Sequence, residues 1–273
     1  MFAEIDWSRA WYDSVRPAFN SLHAGEGGGL HAAFSAAAAE LSLSNAAGQP
    51  IRFVPQADLP AGQAYEQFIG TSGCVPTREN LHDFFNALVW LSFPKTKQQL
   101  NALQAAQIAV AGVGKSRGPA RDAATIYDEN CALLVVRDVA PAHALVDALR
   151  GHRWREAFVE RRDQFGAAAD AELWLFGHAL MEKLVAPRKA ITAHTRVVVA
   201  DDAYFTKAPA ARRAWLDQNQ AAALMAAPLT TAAFTPLPVL GVPGWWPGQD
   251  ADFYADAGVF RPKRITSTET SND

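Results

Sequence analysis

Apolar positions recur at three- and four-residue spacing along much of the chain, most densely in residues 77–101. Leu81, Phe84, Phe85, Leu88, Val89 and Leu91 cover most of a helix circumference there. A stripe that wide predicts a helix enclosed by other elements. Thr77 stands in the place of an N-cap, Glu79 and Asn80 fall in the first turn, and Pro94 ends the helix. A second helix is expected from about 96 to 111. His82, Asp83 and Asn86 form a polar strip along the first, because residues three and four apart share a face. Once enclosed, those groups need partners, since unpaired buried polar groups are costly.

The same spacing predicts helices over 7–22, divided at Pro17, over the alanine-rich 30–43, over 141–149, over a charged stretch at 154–165, over the apolar 173–185 and over 209–226. Strands are expected at 51–54 and 195–200. The β-prone runs 124–127 and 132–136, around Asp128, Glu129 and Asn130, predict a β-hairpin. From Pro228 the prolines and glycines exclude regular helix. An extended arm is expected, anchored by Trp245, Trp246, Phe253, Tyr254 and Phe260. The fold class is therefore α+β and predominantly α-helical: a helical body, one small sheet including a β-hairpin, and an irregular Pro/Gly/aromatic C-terminal arm. One globular domain over 1–264 with a disordered tail at 265–273 is expected.

Composition changes this picture little. A hydrophobic share of 49% with 19% charge belongs to an ordinary globular protein. The net charge of −3 gives no reason to expect nucleic acid or an acidic membrane as partner. Cys74 and Cys131 make neither a disulfide framework nor a metal knuckle and are expected to be reduced and buried. The chain opens with Glu4 and Asp6 before any apolar run, and no stretch reaches the length of a membrane span. A cytoplasmic bacterial protein is the expectation. Oligomeric state is not legible.

Four stretches are specific enough to compare with a family. They are L-H-D-F-F-N-A-L-V-W-L-S-F-P-K-T-K-Q-Q-L-N, R-G-P-A-R-D-A-A-T-I-Y-D-E-N, L-F-G-H-A-L-M-E-K-L, and P-L-P-V-L-G-V-P-G-W-W with F-Y-A-D-A-G-V-F-R-P. Together they resemble the bacterial family known as domain of unknown function 3025, over nearly the whole chain. The resemblance implies a soluble domain and brings no activity, cofactor or catalytic residue. Where the family pattern has glycine after D-E-N, this chain has Cys131.

Candidate chemistry comes from the residues themselves. Residues 109–116 imitate a phosphate-binding loop, but Ala109 replaces its first glycine and Gly118-Pro119 interrupts the helix that must follow. His82-Asp83 is similar to the metal-ligand pair of the HD phosphohydrolases. His178 and Glu182, one helical turn apart, are candidate further metal ligands, set against structural histidines. A third grouping is acid–base. Arg121, Asp122, Asp128 and Glu129 would converge with His82, Asp83 and Asn86, and Lys95 and Lys97 would contact an anion. Its alternative is an internal salt-bridge network. Trp245 and Trp246 are candidates to stack on a ligand or to pin the arm. Two functions follow: a hydrolase-type enzyme acting on a small anionic or phosphorylated molecule, or a non-catalytic binding protein. Neither points to a particular cofactor.

Overall fold

The computed structural model describes residues 2–22, 29–111, 118–166 and 169–263. In chain order the helices are α1 (Arg16–Ser21), α2 (Leu30–Glu40), α3 (Tyr65–Ser72), α4 (Leu81–Ser92), α5 (Pro94–Ala111), α6 (Gly118–Asn130), α7 (Ala140–Arg150), α8 (His178–Lys183), α9 (Asp202–Phe205), α10 (Pro209–Ala226) and α11 (Ala251–Ala255). The strands are β1 (Arg52–Pro55), β2 (Cys74–Thr77), β3 (Cys131–Arg137), β4 (Ala171–Leu175), β5 (Thr192–Ala200) and β6 (Thr235–Pro238). The chain is a predominantly helical α+β protein.

Strands β1 and β2 form a parallel pair; the larger sheet has the order β4-β3-β5-β6. Within it β3 runs antiparallel to β4 and parallel to β5, and β5 runs antiparallel to β6. The central position of β3 explains its unbroken apolar sequence, Cys131 to Val136, all buried. Its side chains divide between two cores. Leu133 and Val135 join the core built around α4, whereas Leu134 and Val136 join the core of α7 and the C-terminal arm. Strand β6 carries Pro236 and Pro238, which an edge strand tolerates.

Helix α4 is the enclosed element that its wide apolar stripe predicts: every residue from Asp83 to Ser92 is buried. Its cap is Asn80, whose side chain accepts from the Asp83 amide at 2.8 Å, and not Thr77, which ends β2. Pro94 ends α4 by opening α5 directly, at the first helical position where proline is accommodated.

Three expectations are corrected. Residues 124–136 form no hairpin: α6 continues to Asn130 and β3 begins at the next residue. Ala123, Ala124, Tyr127 and Asp128 are buried at helical spacing, and that periodicity outweighs the β-propensity of Thr125, Ile126 and Tyr127. Residues 173–185 are not one helix but strand β4, a bend at Phe176-Gly177, and α8. Residues 154–165 are not a regular helix either; a five-residue π turn, Glu156–Glu160, and a 3-10 turn, Arg162–Gln164, occupy them. The 7–22 stretch is divided as Pro17 requires, into a 3-10 turn at Ala10–Tyr12 and α1. The arm is anchored by buried Phe253, Tyr254 and Phe260, although β6 and α11 give it more regular structure than expected. Both cysteines are free and buried. Among the described residues no helix is long and apolar enough to cross a membrane. The expected tail at 265–273 lies outside the described residues, as do 112–116 of the phosphate-loop imitation.

Candidate functional site

The polar strip of α4 meets α3, α5, α6 and α8. On α5, Lys97, Asn101 and Gln104 are buried at four- and three-residue spacing, an inward-facing polar stripe on the helix. Lys97 Nζ donates to Asn86 Oδ1 at 2.8 Å and to Asp128 Oδ1 at 2.6 Å. Asn86 Nδ2 donates to the Tyr65 hydroxyl at 3.1 Å. Asn101 Nδ2 donates to Glu66 Oε2 at 2.7 Å and to the Glu66 carbonyl at 2.9 Å. One connected set of side chains thus ties the first turn of α3 to the middle of α4 and the end of α6.

A second branch leads outward. His178 opens α8 and is buried, with Nδ1 3.9 Å from Asp128 Oδ2 and, among the described residues, no hydrogen-bond partner for that nitrogen. His178 Nε2 lies 3.1 Å from His82 Nε2, and His82 Nδ1 lies 2.9 Å from Glu182 Oε2. The direction of these bonds follows from donor bookkeeping. A carboxylate only accepts, so His82 Nδ1 donates to Glu182 and a neutral His82 offers Nε2 as acceptor. While His82 is neutral, His178 Nε2 donates to it, and His178 Nδ1 carries a lone pair facing Asp128. A proton arriving at His178 Nδ1 would turn that contact into an ion pair.

The electrostatics fit this arrangement. Burial pushes the His178 imidazole down to about 4, against an opposing pull from Asp128, with Lys97 and His82 adding to the drop. Burial pushes Asp128 up, but Lys97 and His178 more than offset it and hold its carboxyl below the usual range. The loss of surrounding water pushes Glu66 up to about 6, with Lys97 opposing and Asp128 adding.

Between α3, α5 and α6 the network opens on a cavity of about 280 Å³ whose wall includes Tyr65, Glu66, Gln104, Arg121, Asp128 and Glu129. Arg121 Nε is buried and has no hydrogen-bond partner among the described residues.

The candidate residues divide accordingly. Arg121, Asp128 and Glu129 line the cavity; Asn86 and Lys97 form the wall's internal bonds; His82, His178 and Glu182 form the outward branch. Asp83 does not partner His82. It accepts from the Arg78 amide and guanidinium, fixing the turn from β2 into α4. Asp122 is exposed, and Lys95 is exposed with its amide bonded to Asp217, away from the cavity wall. Trp245 and Trp246 are half-buried against both cores and lie apart from this site. His178 and Glu182 both engage His82 and do not point together at an ion. Among the described residues no group of three or more His, Cys, Asp and Glu is arranged to hold a metal.

Tyr65, Glu66, Asn101 and Gln104 escaped the sequence reading. The four- and three-residue spacing of Lys97, Asn101 and Gln104 was the available signal, a polar stripe on a helix that must pack against α4. No curated protein and no solved structure matches the chain. The family model described as "Protein of unknown function (DUF3025)" matches residues 51–264, which include every residue of this network, and the chain belongs to that family.

Proposed function

We propose that the protein is a hydrolase-type enzyme that acts on a small anionic substrate in the cavity between α3, α5 and α6. The observation that carries this reading is the convergence of Glu66, Arg121 and Asp128 on one open cavity, with Arg121 Nε lacking a partner among the described residues. A carboxyl raised to about 6 is suited to moving protons near neutrality. Glu66 takes a proton from water as the hydroxide forms its bond to the electrophilic centre. The bond to the leaving oxygen breaks, and Glu66 returns the proton to that oxygen. Arg121 binds the anionic group and the charge that develops on it. Lys97 and Asn86 hold Asp128 and Tyr65 in place, and the His178–His82–Glu182 branch links the Asp128 wall to the surface.

Turnover of a panel of small phosphate esters and carboxylate esters tests the proposal. Hydrolysis of at least one substrate is expected, rising with pH through about 6, and lost in both Glu66→Gln and Arg121→Met. No turnover by the folded wild type, or turnover indifferent to both substitutions, overturns it. A non-catalytic binding protein is the second reading. It is favoured by the internal saturation of Asp83, Asn86 and Lys97, and it predicts that anions bind unchanged.

A further inference from the structure

A second cavity, of about 530 Å³, lies where the N-terminal turn, strand β4, the start of α10 and the C-terminal arm meet. It shares no lining residue with the cavity above. Three indoles contribute to its wall: Trp11 and Trp174, both buried, and Trp245, half-buried on the arm. Trp11 and Trp245 stand with ring centroids 6.3 Å apart and planes at 53°.

The polar part of the wall is fixed in advance. Glu172 Oε1 accepts from Trp174 Nε1 at 2.7 Å and from the Tyr204 hydroxyl, and Oε2 accepts from Arg212 Nη1 at 2.5 Å. Both carboxylate oxygens are therefore engaged, and the guanidinium is held by one of its nitrogens. Among the described residues Arg212 Nε has no hydrogen-bond partner, and neither do Trp11 Nε1 and Ser14 Oγ, atoms of residues that line the same wall. Indole and guanidinium nitrogens only donate, so what completes this wall is an acceptor. Arg212 is balanced by Glu172 and Arg16 by Asp13, at 2.6 Å, which leaves a spare charge-assisted donor in a neutral frame. Such a donor favours a carboxylate over a neutral oxygen. The volume is that of a small-molecule site, and three of its wall residues are indoles, whose rings suit a flat apolar ligand.

We propose that this cavity binds a flat aromatic carboxylate, with its ring system among Trp11, Trp174 and Trp245 and its carboxylate on Arg212. The inference is independent of the proposed hydrolysis.

Isothermal titration calorimetry of the full chain with 2-naphthoate tests it, using 2-naphthylmethylamine and cyclohexanecarboxylate as controls. Saturable one-to-one binding of 2-naphthoate is expected, with each control weaker by about tenfold or more, the scale of one lost charge-assisted bond or stacking contact. Arg212→Lys keeps the charge next to Glu172 but loses Nε, and Trp245→Leu removes one ring from a half-buried position. Each is expected to weaken binding about tenfold while retaining cooperative unfolding. Glu66→Gln, in the other cavity, leaves binding unchanged. Absence of saturable binding to the wild type, equal affinity for the three probes, unchanged binding in either folded variant, or loss of binding in Glu66→Gln overturns the proposal.

Discussion

Lys97 Nζ sits 2.6 Å from Asp128 Oδ1 with the two side chains only 5% and 10% exposed, so each ion is the other's main compensation for lost water. The pair is held from outside by Asn86, and the ammonium also lies 5.3 Å from the Trp90 ring centroid. Removing one ion leaves the other buried and unpaired, which costs about 3–5 kcal/mol. Lys97→Met and Asp128→Leu are each expected to lose about that much in urea unfolding, and the double variant less than the sum. Additive losses would show that the two charges do not compensate each other.

Glu66 sets up an opposite dependence on pH from a normal acid. Its folded carboxyl titrates at about 6 against an ordinary 4.5. The folded state therefore holds the proton more tightly, and the stability it contributes is full below about 4.5 and lost as pH rises through 6. The side chain is partly exposed, so the loss is put at about 1–2 kcal/mol after allowing for solvent. Glu66→Gln keeps an acceptor for Asn101 and removes the titration. Relative to wild type it should gain about 1–2 kcal/mol between pH 4.5 and pH 8. Denaturant unfolding at the two pH values measures this, and a constant difference would contradict it.

Much of this site was legible in the sequence, and the illegible part has a common cause. The burial of α4 follows from its own apolar stripe, because Phe84, Phe85, Leu88 and Val89 leave too little circumference for solvent. The polar strip beside it marks His82 and Asn86 correctly as groups in need of partners. Their partners were another matter. Asp83 adjoins His82 in sequence yet caps the turn below through Arg78, while Glu182, a hundred residues away, holds the imidazole. Residue adjacency on a helix says little about which side chains meet across elements. The hairpin expectation failed similarly. Thr125, Ile126 and Tyr127 have strand propensity, but burial of Ala123, Ala124, Tyr127 and Asp128 at helical spacing decides the element. Moving Asp128 from a hairpin to the last turn of a helix is what brings it to Lys97.

The backbone crossing that seats His178 is tight. A Cβ on Gly177 would stand 2.5 Å from the Glu129 carbonyl oxygen and 2.6 Å from Asn130 Cα and N, all backbone atoms that cannot rotate away. The Gly177 φ of −61° suits any residue, so the requirement for glycine is purely steric. Gly177→Ala should cost about 1–3 kcal/mol or more by forcing α8 off the end of α6. Gly29→Ala, where a Cβ meets nothing within 4 Å, is the steric control and should cost less, only the difference between glycine and alanine at the N-cap of α2. Equal thermal stabilities of the two variants would contradict the crossing.

His178 supplies the acid sensitivity that Glu66 opposes. Its imidazole is depressed to about 4 from an ordinary 6.5, with burial the largest cause and Lys97 and His82 adding to it against Asp128. An unfolded chain takes up this proton first as pH falls, so the stability involved is present above 6.5 and lost between 6.5 and 4. The loss should approach about 3 kcal/mol. Among the described residues Asp128 is the one carboxylate within 4 Å of the ring nitrogens, and Glu182 pairs with His82. In the background of Glu66→Gln, which removes the opposing slope, His178→Asn is expected to flatten the fall in stability across this window. Proton NMR of the His178 ring provides the direct measurement. A midpoint near 4 agrees with a buried neutral imidazole donating from Nε2 to His82, whereas a midpoint near 6.5 would mean that water reaches the ring and that the chain from Asp128 to the surface is open.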